Sequence, residues 1–254
     1  MLGIDELYKE LKSSNFLVDI DSRKIRKGSV FFAIKGDNFN GNEFIGDALK
    51  NGSRLAISDE ENPNLNDNHN VIKVSNSLST LQELSKFHRK KCNAKVIGIT
   101  GSNGKTTTKE LIYSVLSSNF KTICTTGNFN NHIGLPLSLF EIRHDTEFAV
   151  IEMGANNFGE IAFLTSLCEP DYGYITNFGK AHLEGFINID GVIKAKTELY
   201  QWIIKNDKTL LINGEDKNQK KFDNHKHIIF GCGKNFQFNF REKNNDFVNV
   251  LHDN

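Results

Sequence analysis

Residues 95–108, Lys95-Val-Ile-Gly-Ile-Thr-Gly-Ser-Asn-Gly-Lys-Thr-Thr-Thr108, restrict the possible folds more than any other stretch. An apolar run leads into two glycines three positions apart, followed at once by Lys-Thr and a helical pattern. Gly101 and Gly104 let the backbone approach an anion closely. Amides at the start of the helix point at it, and Lys105 brings a mobile positive charge suited to β- and γ-phosphates. Thr106 offers its hydroxyl to Mg²⁺. The strict phosphate-loop pattern asks for a further glycine where Ile99 stands. A Gly-rich strand-to-helix turn with an exposed lysine is the plainer alternative, but strand, glycines, Lys-Thr and helix all fall in order.

From residue 95 onward, strand and helix patterns alternate. Strands are predicted at 95–100, 121–124, 148–152, 172–176 and 208–213, and helices at 105–117, 158–167 and 190–204. Such alternation predicts a mostly parallel sheet with helices on both faces. The stretch before it predicts a smaller α/β unit, with helices at Ile4–Leu11 and near Phe44–Asn51 and strands at Val30–Ile34, Leu55–Ser58 and Val71–Val74. The polar run Asp59–Asn70 reads as a surface loop. A helix from Leu78 to about Lys91 marks the boundary between domains 1–90 and 91–254. Short strand-like runs at 228–230, 236–240 and 247–251 close the chain.

The 254 residues, 38% hydrophobic, suffice for a sizeable core in more than one domain. Lys+Arg and Asp+Glu both number 31, which excludes the broad cationic surface of a nucleic-acid binder. No apolar run approaches the roughly 20 residues of a membrane span. The first residues carry acid where a signal peptide carries base, so a cytoplasmic protein without membrane insertion is expected. Cys92, Cys124, Cys168 and Cys232 are widely spaced and read as reduced, buried small hydrophobes.

Three further segments put polar residues at predicted strand ends, the edge where open α/β sheets bind ligands. Glu152 closes the run Phe148–Ile151. A carboxylate there suits Mg²⁺ against a nucleotide, although a lone glutamate at a strand end is more often simply solvated. His182 follows the 172–176 strand, and a lone histidine is more often structural or exposed than catalytic. Lys196 shares a helix with Lys194, where the plain reading is a solvated basic face. Spacing alone does not choose among these.

Taken together, the segments resemble the ATP-dependent Mur ligases of peptidoglycan synthesis, in particular the MurF type, which joins D-alanyl-D-alanine to UDP-N-acetylmuramoyl-tripeptide. The resemblance rests on Thr100–Thr107, Gly127-Asn-Phe-Asn-Asn-His-Ile-Gly-Leu-Pro-Leu137, Glu152-Met-Gly-Ala-Asn-Asn-Phe-Gly-Glu-Ile161, Thr176-Asn-Phe-Gly-Lys-Ala-His-Leu-Glu-Gly-Phe186 and Ala195-Lys-Thr-Glu-Leu199. Asp21-Ser-Arg23 and Gly28–Gly36 look like the segment that holds the UDP end of the substrate. The resemblance implies that domain 1–90 binds the UDP-muramoyl peptide, through Ser22, Arg23 and Gly36 among others, and that domain 91–254 binds ATP. It implies that Gly101, Ser102, Asn103, Gly104, Lys105, Thr106 and Thr107 cradle ATP, and that Thr106 and Glu152 hold a first Mg²⁺. Lys196 matches the family's carbamylated lysine and, with His182, would serve a second Mg²⁺; Lys105, His182 and Lys196 would be catalytic. Asn130 and Asn131 match a pair near the γ-phosphate and the muramoyl substrate. Asn213 matches an asparagine near adenine, although the family usually shows Asp where this chain has Glu215. Gly41-Asn42 replaces the Gly-His common in relatives.

The implied reaction activates a peptide carboxylate as an acyl phosphate, which the amine of D-alanyl-D-alanine then attacks. A monomer is expected. Family members carry a third, carboxy-terminal domain, absent here, and the chain stops at Asn254 before the central domain is complete; the chain alone is expected not to finish ligation. Two other readings compete. One is a MurE-type or folylpolyglutamate-type ligase, against which Glu152–Asn157 and Asp21–Arg23 speak. The other is a non-catalytic module that binds nucleotide or UDP-muramoyl peptide.

Overall fold

A computed structural model describes residues 2–61, 69–179, 186, 188–232, 237–243 and 247–252. The chain divides into two compact units, Met1–Cys92 with Pro136–Arg143, and Asn93–Leu135 with His144–Asn254.

In the first unit, helix α1 (Ile4–Ser13) buries Leu7 and Leu11. Strands β1 (Val18–Asp19), β2 (Val30–Phe32), β5 (Leu55–Ser58) and β6 (Val71–Lys73) form a parallel sheet in the order β1-β2-β5-β6. Val30, Phe31, Phe32 and all of Leu55–Ser58 are buried, as strands covered on both faces require. Phe31, Ala33 and Ala56 pack against Ile45 and Ala48 of α2 (Ile45–Lys50). A small hairpin, β3 (Lys35–Gly36) with β4 (Phe39–Asn40), stands apart from that sheet. Helix α3 (Ser77–Lys91) starts where the Asn76 side chain accepts the Ser79 N–H at 2.7 Å, which satisfies one of the helix's free amides. Part of the predicted 59–70 loop, residues 62–68, lies outside the described residues.

The second unit is built on an eight-stranded sheet. Its strands are β7 (Lys95–Thr100), β8 (Thr122–Cys124), β9 (Phe148–Glu152), β10 (Tyr172–Ile175), β11 (Thr209–Asn213), β12 (His227–Gly231), β13 (Phe238–Lys243) and β14 (Phe247–His252), in the order β14-β13-β12-β11-β10-β7-β9-β8. Every neighbouring pair is parallel except β13 with β14. Ile97, Ile99 and Val150 face Ile112 and Leu116 of α4 (Lys105–Ser117). The alternate residues of the sheet turn to α6 (Glu160–Cys168) and α7 (Ile189–Lys205). Gly173 permits that second packing, since a Cβ there would stand 2.8 Å from Ile203 Cγ1 of α7.

Helix α5 (Gly134–Phe140), the hairpin and β1 have no counterpart in the sequence expectations. Two-residue strands are too short to show a period. Pro136 reads as a breaker in sequence, yet it is tolerated in a helix's first turn, where its missing N–H has no partner to lose. The four cysteines are free thiols: Cys168 is buried and Cys92 and Cys124 are half-buried, but Cys232 is exposed, against expectation.

Candidate active site

Strands β7, β9 and β10 end together. Ile99 pairs with Glu152 and Thr100 with Ile175, so the loop after β7, the Glu152 carboxylate and the segment starting at Thr176 share the carboxyl edge of the sheet. The loop itself is bent at Gly101 (φ 147°) and Gly104 (φ 73°), conformations that side chains rarely adopt. A Cβ on Gly101 would also collide with Thr176 Oγ1, 1.9 Å away. Gly104 caps α4, so the free amides of that helix open toward the loop. The Lys105 ammonium folds back over it, donating to Gly101 O at 2.9 Å and Ser102 O at 3.3 Å.

The 176–179 segment braces this loop from beside it. Asn177 Oδ1 accepts the Asn103 N–H at 3.1 Å, while Asn177 Nδ2 and Thr176 Oγ1 both donate to Asn103 O. Ser102 Oγ donates to Gly179 O, and the Ser102 N–H to Asn177 O. Asn177 carried no role in the sequence reading. No short-range pattern could reveal its partner 74 residues earlier.

Glu152 is 1% exposed, not a solvated strand end. Its Oε1 accepts Asn130 Nδ2 at 2.8 Å, and its own N–H is fixed by Thr125 Oγ1 at 3.0 Å. Its Oε2 is buried with no hydrogen-bond partner among the described residues. An anionic oxygen in that situation is costly unless a cation meets it, so the residue suits a divalent metal. Asn130 O also accepts the Gly154 N–H at 2.8 Å, tying the turn after β9 to the same group.

Lys196, on α7, is likewise 1% exposed, whereas Lys194 is exposed. Two residues apart on a helix are about 200° apart around its axis, so the two lysines cannot share one basic face. Lys196 Nζ has a long 3.5 Å contact with Ala155 O and stands over the Phe186 ring at 5.5 Å. Burial lowers its ammonium pKa to about 8; the nearby Lys105 charge adds to that effect, while Glu160 and Glu198 oppose it. The structure thus brings the loop, Glu152, Asn130 and Lys196 together around the turn at 153–155.

Two families match this chain: the Mur ligase middle domain over residues 99–251 and the Mur ligase family, catalytic domain, over residues 17–89. The chain belongs to the Mur ligase family. It is 40% identical over 199 residues to the UDP-N-acetylmuramoyl-tripeptide--D-alanyl-D-alanine ligase of Bacillus subtilis (strain 168), covering 78% of this chain and 43% of that protein. MurF from Acinetobacter baumannii superposes with a TM-score of 0.79 at 30% identity, over 92% of this chain and 55% of that one. MurF ligase from Thermotoga maritima in complex with ADP gives 0.77 at 31% identity, over 89% and 52%. The chain spans about half the length of the curated relatives it matches.

Other expected site residues of this Mur ligase take more local roles. Asn131 Oδ1 accepts the N–H groups of Ile133 and Gly134 and so caps α5. Asn213 Oδ1 accepts the Glu215 N–H at the end of β11. Thr106 and Thr107 lie exposed on the first turn of α4. His182 lies outside the described residues. In the first unit, Ser22 is nearly buried. Arg23 is 85% exposed and forks onto Asp21, whose carboxyl it lowers to about 2 chiefly by hydrogen bonding. Gly36 sits in the hairpin strand β3. Asn42, 5% exposed, donates to Asn40 Oδ1 and Asp59 Oδ1 and accepts from Ser58 Oγ.

Two residues missed in the sequence hold the second unit's edge. Gln219 is fully buried; its Nε2 donates to Ile175 O at the end of β10, while its Oε1 accepts the Asn213 N–H and the Tyr200 hydroxyl. Glu198 of α7 accepts the N–H groups of Gly159 and Ala162 at 2.8 and 2.9 Å, capping α6 from a neighbouring helix. Among the described residues no helix is long and apolar enough to cross a membrane.

Proposed function

We propose that this chain is the substrate-capturing and nucleotide-binding part of an ATP-dependent amide ligase that joins D-alanyl-D-alanine to UDP-N-acetylmuramoyl-tripeptide. The observation that carries the proposal is the buried Glu152 carboxylate, one oxygen unpartnered, at the same sheet edge as the loop before α4. Kinship to ligases of that name, at 33–40% identity among the best-matched relatives, supports the choice of substrates.

The free amides at the start of α4, residues 104–107, hold the ATP phosphates, and Lys105 adds a mobile charge to the β/γ end. Asn177 and Thr176 keep the loop in shape by binding Asn103. Thr106 and Glu152 would hold a first Mg²⁺. Lys196, converted to a carbamate, would serve a second with His182. When bound, these ions neutralise charge on the phosphate oxygens. Carbamylation needs a neutral amine, and burial of Lys196, which lowers its pKa to about 8, raises the neutral fraction near neutral pH. Asn130 and Asn131 border the γ-phosphate end and Asn213 the adenine end, while Ser22, Arg23 and Gly36 in the first domain, residues 1–90, take the UDP end.

The tripeptide carboxylate oxygen attacks the γ-phosphorus as the bond to ADP breaks. The dipeptide amine then attacks the acyl carbon, loses a proton, and inorganic phosphate leaves. All named groups come from one chain, consistent with a monomer. A cytoplasmic location follows from the use of ATP and a nucleotide-linked substrate.

Calorimetric titration with ADP, with and without Mg²⁺, and then with UDP-N-acetylmuramoyl-tripeptide tests the proposal. Saturable binding of the muramoyl peptide and Mg²⁺-dependent binding of ADP are expected. Binding of folate monoglutamate in place of the muramoyl peptide would overturn it.

A further inference from the structure

Lys109 is the one described residue of α4 whose side chain is wholly buried, at 0% exposure. Ile112 and Leu116, the apolar residues that face the sheet, are only half-buried. No step of the reaction proposed above uses Lys109. An ammonium group taken out of water is costly unless it is paired, and an apolar side chain of similar length fills the same space without that cost. Burial of the charge points to a task that a carbon stem does not perform.

The ammonium donates to Thr125 O at 2.6 Å and meets Oε1 of the exposed Glu110 at 2.9 Å. Thr125 stands directly after β8, itself buried, and reaches β9 twice. Its N–H donates to Val150 O at 3.0 Å, and its Oγ1 accepts the Glu152 N–H at 3.0 Å. Further along the same segment, Asn130 Nδ2 donates to Glu152 Oε1 at 2.8 Å. One segment thus grips Glu152 at its backbone and at its carboxylate, and Lys109 pins the start of that segment to α4.

Helix α4 carries the other half of the Mg²⁺ site proposed above, on which this inference rests. Thr106 and Lys105 precede Lys109 by three and four residues, positions that share one face of a helix. A cation held between Thr106 and Glu152 needs the first turn of α4 and the end of β9 at a fixed separation, because Mg²⁺ demands near-octahedral geometry with oxygens at about 2.0–2.1 Å. The apolar packing of Ile112 and Leu116 against Ile97, Ile99 and Val150 holds helix to sheet without fixing direction. The Lys109 bond to Thr125 O is directional and sits one turn from Thr106.

We propose that Lys109 is a positioning residue for the Mg²⁺ site: by holding the Thr125 carbonyl, its ammonium sets the separation between Thr106 on α4 and Glu152 on β9.

The test is calorimetric titration of the full chain with ADP, with and without saturating Mg²⁺, alongside urea unfolding followed at Trp202 on α7. Lys109→Met keeps the stem and drops the charge. Thr125→Val keeps the carbonyl that Lys109 binds and drops the hydroxyl that binds Glu152. Each is expected to weaken binding of the Mg²⁺–ADP complex about tenfold, the effect of removing a group that orients a metal ligand, while metal-free ADP binds nearly as before. Thr125→Ser, which retains the hydroxyl, should behave as the parent. The double variant Lys109→Met/Thr125→Val should lose little more than either single one, because both act through Thr125 on the same carboxylate. A merely structural lysine would lower the urea midpoint and weaken ADP equally with and without Mg²⁺. That result, an undiminished Mg²⁺ effect in Lys109→Met, or losses that add in the double variant overturns the positioning role and leaves the ligase reading intact. If Lys109→Met does not fold, Thr125→Val reads the same connection without touching the buried ammonium, and an undiminished Mg²⁺ effect there overturns the proposal. A parent chain whose ADP binding gains nothing from Mg²⁺ overturns the metal site itself and the positioning role with it.

Discussion

Replacing Glu152 by glutamine should make the chain more stable and less able to bind a metal-nucleotide complex. Glu152 is 1% exposed, with one oxygen bonded to Asn130 and the other to nothing among the described residues. A buried polar group without a partner costs about 1–3 kcal/mol, and more when it is charged. Glutamine keeps the acceptor for Asn130 and still leaves an amide unpaired, but it removes the charge. The net gain expected is therefore about 1–2 kcal/mol. Trp202, the chain's one tryptophan, lies on α7 and reports unfolding of the second unit by fluorescence. With a urea slope of about 2 kcal/mol per M, the midpoint should rise by roughly 0.5–1 M. Glu152→Ala separates the effects: it also loses the Asn130 bond and leaves a cavity, so its midpoint should fall. In calorimetry the glutamine variant should bind ADP with no added gain from Mg²⁺. A glutamine variant less stable than the parent, or one with unchanged Mg²⁺ dependence, would refute the assignment of Glu152 as an anion waiting for a cation.

Other outcomes follow from the same physical reasoning. His88 is held neutral, with Nε2 2.8 Å from Ile142 O and Nδ1 3.0 Å from the Tyr8 hydroxyl, and burial lowers its pKa. Its contribution to the first unit's stability is then full above about pH 6.5 and is lost as pH falls through the lowered native value; urea midpoints measured by circular dichroism from pH 8 to pH 5 should drop, and the drop should shrink in His88→Gln. Glu198→Ala leaves two α6 amides uncapped and should cost about 1–2 kcal/mol in Trp202-monitored unfolding; a change under about 0.5 kcal/mol, the scatter of ordinary surface substitutions, would show that the cap contributes nothing measurable. Asn177→Ala should weaken ADP binding several-fold with little change in the urea midpoint, since it frees the Asn103 peptide rather than the core. In ¹³C-bicarbonate, one carbamate NMR signal should appear and vanish in Lys196→Met; its persistence would assign carbamylation elsewhere.

The strand, glycines and helix of residues 95–117 were legible in the sequence because each signal lies within a few residues of the next. An apolar run, two positions demanding positive φ and a Lys-Thr helix start need no distant partner to declare themselves. The alternation that followed predicted the parallel sheet for the same reason. What tertiary structure decided is which polar groups lose water. Glu152 and Lys196 look like solvated charges in the sequence, and both become buried only when β9 is flanked by β7 and α7 closes over the edge. The burial of Lys196 rather than Lys194 depends on which face of α7 meets the sheet, a matter of rotation about one helix. Asn177, Gln219 and Glu198 act on partners 74, 44 and 39 residues away, beyond any local pattern. Likewise, Pro136–Arg143 belongs with the first unit although it is flanked in sequence by the second, because His88 takes its carbonyl partner from Ile142. Local propensity named the glycine-bent loop before α4; long-range packing decided which charges it would share the edge with.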